Sequence, residues 1–130
     1  MNMIIEPGNH DLVLAEWRGA LAHIWLFHIS LRRMGIMLSR IGGREALYVC
    51  GASCKQISGP FSWEQANLSV IVETPNAWGE VVRRIVDRQA GFELLCSDVT
   101  LVGGTAGVPP DPFSGFFNFD RERAVDLLQG

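Results

Sequence analysis

Lysine is almost missing from this 130-residue sequence, where Lys55 stands alone beside ten arginines. Any Schiff-base or lysine-nucleophile mechanism would have to run through Lys55, whose sequence neighbours offer no apolar or cationic pocket to lower an amine pKa. Cysteine is scarce and odd in number: Cys50, Cys54 and Cys96. With no secretory signal read ahead of them, the expectation is free, buried thiols in a reducing, cytoplasmic setting. On a straight strand Cys50 and Cys54 would sit about 13 Å apart, beyond the roughly 7 Å a disulfide can reach. Long apolar runs are also lacking. The longest, Ala20 to Leu31, is twelve residues and carries His23 and His28, whereas a bilayer span needs about twenty, so a membrane partner is not expected.

Signatures of several chemistries are absent. Gly103-Gly104-Thr105-Ala106-Gly107 lacks the Lys-Ser/Thr ending of a phosphate loop, and Ser114, between Phe113 and Gly115, is not set in a nucleophile elbow. The interval between His23 and His28 sends them to opposite faces of a strand, or about 140° apart on a helix, which does not suit a shared metal. A mixed site with Cys50 and Cys54, or a nucleophile pair of His28 with Cys50 or Cys96, stays open because such groups meet in space rather than in sequence. Asp87 and Glu93 read as surface acids. No catalytic residue, metal site or cofactor is predicted.

What is present describes a compact body. An apolar fraction of 48% with only 19% charged residues argues against disorder, and a chain of this length buries about two-thirds of its surface on folding. The formal charge of −3 is unevenly spread. Arg18, Arg32, Arg33, Arg40 and Arg44 fall in one stretch without an acid. That stretch is largely apolar and lacks the interleaved lysines and glycines of a nucleic-acid surface, so it reads as a solvated face with no nucleic-acid partner.

The stretch from Leu47 to Val72 organises the rest. Leu47 to Cys50 is β-compatible, Leu68 to Val72 reads as a buried strand, and Gly59-Pro60 supplies the corner between them. Phe61 and Trp63 follow that corner. Two rings there either plug the end of a small core or form an aromatic platform for a ligand. Upstream, Met1 to Glu6 reads as a short strand and Pro7-Gly8-Asn9 as a turn. Residues 11 to 41 favour helix by propensity, but Gly19, Gly35 and the hairpin-like Gly42-Gly43 favour strands at Ala20–His28, Gly35–Arg40 and Ala46–Cys50. Trp78 to Asp87 suits either helix or strand. Phe92 to Val102 reads as one strand bent at Ser97-Asp98.

These readings predict a mainly β fold: an antiparallel six- to seven-stranded sandwich or partly open barrel with a short C-terminal helix, a mixed α+β fold with a long helix across residues 11 to 40 being the alternative. Residues 1–108 form the β body. Residues 109–130 form a Phe-rich tail of the same domain, with Phe113, Phe116, Phe117 and Phe119 behind a Pro-rich loop and Asp120 placed to cap a final helix.

The run Cys50, Cys54, Ile57-Ser58-Gly59-Pro60 and Trp63, with the later Asp87, Ala90-Gly91-Phe92 and Cys96, resembles a group of short bacterial proteins, some encoded on mobile integron gene cassettes, with no assigned activity. The resemblance spans about residues 17 to 102 and implies an antiparallel β protein, but no functional residue. Two functions are therefore carried forward. One is a non-catalytic module acting through self-association, as a homodimer, or through a protein partner held by Phe113, Phe116, Phe117 and Phe119. The other is a small-molecule binder or small enzyme with a pocket near Trp63, Phe61, Trp25 and His28.

Overall fold

The computed structural model describes residues 3–28 and 32–108, and its order of elements follows the turn chemistry closely. The chain runs through β1 (Met3–Ile5), a 3-10 turn at Pro7–Asn9, α1 (His10–Glu16), β2 (Leu21–His28), β3 (Arg33–Ser39) and β4 (Glu45–Ala52). It continues through β5 (Gln56–Ser58), β6 (Ser62–Trp63), β7 (Ser69–Val72), β8 (Arg83–Asp87), β9 (Phe92–Cys96) and β10 (Asp98–Thr105). Seven of these strands have four or more residues; β1, β5 and β6 are short additions. The long helix considered across residues 11 to 40 is not formed. Helix propensity prevails only over α1, because Gly19 adopts φ +85°, a conformation that glycine enters without a Cβ penalty, and its N–H donates to the Ala66 carbonyl at 2.8 Å.

All strand pairs are antiparallel and fall into two sheets, ordered β1-β10-β4-β3-β2-β6 and β5-β9-β8-β7. Neither closes on itself, so the body is a β sandwich. The β3–β4 hairpin turns where Gly42-Gly43 predicted it, with Gly42 at φ +75° and the Gly43 N–H donating to the Arg40 carbonyl at 3.0 Å. The segment read as one bent strand, Phe92 to Val102, is two: β9 belongs to the four-stranded sheet and β10 to the six-stranded one, and the chain changes sheets at Ser97. A corner of one residue is short enough to leave the apolar pattern unbroken, which is why the sequence shows only a bend there.

Between the sheets lies the main core. The larger sheet contributes Ala22, Met34, Ile36, Leu38, Leu47, Val49 and Leu101, the smaller one Ile85, Phe92, Leu94 and Cys96, and α1 with its following turn adds Leu14 and Trp17. Burying a side chain of this kind stabilises by about 1.5–3 kcal/mol each. The segment Leu68 to Val72 was expected to be a buried strand, but only Leu68 is buried. β7 forms an edge of its sheet and exposes Val72.

A second apolar cluster, Met37, Ala46, Tyr48, Cys50 and Val102, lies on the opposite face of the six-stranded sheet, with Trp25, Leu26 and Ala106 packed against it. The β2–β3 register shifts at a bulge between Ile24 and Leu26, and the Trp25 ring lies over Gly35. A Cβ at Gly35 would come within 2.0 Å of that ring. Trp25 also meets Tyr48 edge-on, with centroids 5.0 Å apart. The Phe-rich segment with Phe113, Phe116, Phe117 and Phe119, and the helix capped by Asp120, lie outside the described residues. No helix among the described residues is long and apolar enough to cross a membrane.

Candidate functional site

The Gly59-Pro60 corner places Trp63 and leaves Phe61 outside. Gly59 has φ +127°, and a Cβ there would stand 2.7 Å from the Phe92 Cα, so only glycine lets the corner lie against β9. Trp63 stacks on Phe92 with centroids 4.8 Å apart and planes at 28°. Its indole N–H donates to Asp87 Oδ2 at 2.8 Å, and the Asn67 N–H donates to the same oxygen at 2.8 Å. The Ala90 N–H reaches Asp87 Oδ1 at 3.2 Å. Asp87 is therefore no surface acid: it is 1% exposed and ties β6, at the edge of one sheet, to β8 in the other. A carboxylate supplied with donors in this way is tolerated in an apolar interior. Phe61 keeps 79% of its surface exposed.

The candidate ligand residues do not share a cavity among the described residues. Trp63 faces the inter-sheet core, Trp25 the opposite face of the larger sheet, and Phe61 the solvent. His28 does line a pocket. This pocket, of about 300 Å³, opens at the end of the sandwich where β2 finishes, β3 begins and the β4–β5 link passes. Phe27, Met34, Ile57 and Leu94 give it an apolar wall, Arg32, Lys55 and His28 give it a polar rim with the buried Arg33 behind them, and no acid among the described residues lines it. Just outside, the Lys55 ammonium pairs with Glu80.

The backbone at the mouth is unusual. Arg32 (φ +51°) and Ser53 (φ +52°) both adopt the left-handed conformation that residues with a Cβ rarely enter. Cys54 N–H donates to the Arg32 carbonyl at 2.8 Å, fixing one loop to the other. Strained conformations of this type cost about 1–3 kcal/mol each and gather at binding sites, where the surroundings hold them. Arg32 and Lys55 come to one opening from segments far apart in sequence.

Cys54 lines the same pocket. Its thiol is pushed up to about 11 by burial, opposed by the nearby Arg33 charge. Burial pushes Cys96 up to about 12 and moves Cys50 upward too. Thiolates are therefore rare at neutral pH, and none of the three is an activated nucleophile. Among the described residues, no group of three or more His, Cys, Asp or Glu side chains converges as a metal site would require.

A wider groove of about 560 Å³ at the other end of the sandwich is lined by Glu16, Arg44 and Glu45 together with Met3, Val13 and Trp17. Its charges are mixed, and Arg40, which stacks at 4.0 Å over Trp17, is engaged with the Glu16 carbonyl. The smaller pocket has the clearer chemical bias and is the better candidate. Sequence reasoning named His28 but missed Arg32, Arg33 and Lys55 as a set; the acid-free run of arginines was the available signal. Comparison with protein-family models, curated proteins and solved structures finds no match to this chain.

Proposed function

We propose that this protein is a non-catalytic ligand-binding module that takes a small organic anion in the pocket between β2, β3 and the β4–β5 link. The observation that carries this reading is the lining: three formally cationic side chains, Arg32, the buried Arg33 and Lys55, which also pairs with Glu80 just outside, share one concave opening that no acid among the described residues lines. Guanidinium groups bind carboxylate and phosphate through paired, charge-assisted hydrogen bonds, and an apolar wall strengthens such bonds by lowering the local dielectric. The weakly acidic thiols fit binding better than covalent chemistry.

Amide NMR spectra recorded with a panel of small carboxylates, phosphates and sulfonates, each beside its neutral amide or ester, test the reading. Anions should move the signals of Arg32, Cys54 and Lys55, and the neutral analogues should not. Arg32→Asn keeps a residue that tolerates the left-handed conformation and should weaken binding about tenfold. Shifts confined to another part of the molecule, or equal shifts from neutral analogues, refute it.

Self-association is a second reading, favoured by β7, which is an edge of its sheet among the described residues. Val72 is 60% exposed there, and Trp78, in the loop that follows, is 88% exposed. Open edges with apolar side chains invite pairing with another chain. Sedimentation of the wild type should then show a concentration-dependent dimer that Val72→Lys with Trp78→Ser abolishes, and a monomer at all concentrations refutes it.

A further inference from the structure

Resting on the anion-binding reading above, we infer that the pocket is built for an amphipathic anion: one carboxylate or phosphate head on a short unbranched apolar chain of about six to eight carbons. The rim and the wall divide the labour. Arg32, Arg33 and Lys55 line the same cavity as Phe27, Met34, Ile57 and Leu94, so a ligand that meets the cations also meets apolar surface. A bare inorganic anion would leave that wall against water. A long acyl chain would not fit either, because about 300 Å³ is at the small end of ligand sites, and at roughly 30 Å³ per water-sized group the space holds on the order of ten heavy atoms.

The wall is also part of a stable frame. Leu94 and Met34, buried in the inter-sheet core, form the floor behind the wall. The apolar surface open to a ligand comes from Phe27 at the end of β2 and from Ile57 on β5, paired to Leu94 across the strand register. The apolar surface is therefore preformed, and each methylene added to a ligand should gain the ordinary transfer increment, about fourfold in affinity per carbon at 25 °C.

Calorimetric titration of the full chain with acetate, butanoate, hexanoate, octanoate and dodecanoate, with octyl phosphate and octanol beside them, tests this. The expected result is a Kd that falls about fourfold per methylene from butanoate to octanoate and stops falling by dodecanoate. Octyl phosphate should bind as octanoate does, and octanol at least tenfold more weakly. Ile57→Ser should flatten the chain-length slope between butanoate and octanoate. If all carboxylates bind alike, the anion site stands and the amphipathic inference is overturned. Octanol binding as tightly as octanoate, or no binding by any compound at millimolar concentration, overturns the anion reading together with it.

Discussion

Replacing Trp63 with Phe keeps a ring to stack on Phe92 but removes the indole N–H that Asp87 accepts at 2.8 Å. Asp87 Oδ2 then retains only the Asn67 N–H, at 2.8 Å. Hydrogen bonds to a charged group are worth about 1.5–3 kcal/mol, and Trp63 is only partly buried, so water offsets some of the loss; a cost of about 1.5 kcal/mol is expected. Asp87→Asn should cost more, about 2–4 kcal/mol. The amide NH₂ cannot accept, so it must face either the Ala90 N–H or the two donors on the other oxygen, and a buried donor is left unmet. Equilibrium urea unfolding measures both. With an m-value of about 1.5 kcal/mol/M, Trp63→Phe moves the midpoint by about 1 M. The double variant should fall short of the sum by about 1 kcal/mol, because the indole has nothing charged to bond once the carboxylate is gone. Strict additivity, or a Trp63→Phe variant within about 0.3 kcal/mol of wild type, would show that the bond between the sheets contributes nothing and that stacking alone holds the corner.

Three other expectations follow from the same geometry. Gly35→Ala should destabilise by about 1–3 kcal/mol as the new methyl forces the Trp25 ring off the sheet, and Trp25→Ala in the same chain should recover part of the loss in a thermal melt. A thiol titration of native protein should label Cys54 first, with a rate that climbs about tenfold per pH unit towards its value of about 11; Cys50 and Cys96 should follow only on unfolding, and labelling of all three within a minute at pH 7.5 refutes their burial. His10 is held below its ordinary 6.5 chiefly by burial, although its Nε2 lies 3.3 Å from the Ile5 carbonyl oxygen. The unfolded chain therefore binds the proton more readily, so this contribution to stability is intact above about pH 6.5 and is lost as pH falls below it towards the lowered folded value. His10→Gln should flatten that part of the stability profile.

The strands upstream of Ala52 were legible because two independent signals agreed: apolar runs of strand length and a Gly42-Gly43 turn. β7 misled for a physical reason. Branched residues mark strands, but edge and centre differ by what lies beside them, which a local run does not encode. Asp87 was opaque in the same way, since its donors come from Trp63 and Asn67, more than twenty and exactly twenty residues earlier respectively. The pocket was half legible. The acid-free arginine run gave Arg32 and Arg33, whereas Lys55 comes to the same pocket through the β4–β5 link, which is held by the Cys54 N–H on the Arg32 carbonyl and the Lys55 N–H on the Leu95 carbonyl.

The change of sheet at Ser97 has a consequence for how the chain is made. β4 lies between β3 and β10 in the larger sheet, and the pairing of Ala52 with Asp98 spans the whole of the four-stranded sheet in sequence. β2, β3 and β4 are joined by short connections and pair as a meander, while β10 has to wait until a loop of this length is closed, a slow step by topology. On the ribosome, β4 therefore presents its open edge and the apolar side chains Leu47, Tyr48 and Val49 until the sequence past Asp98 emerges. A chain halted before β10 keeps that edge, and it is there that a nascent or truncated copy would first stick to its neighbours.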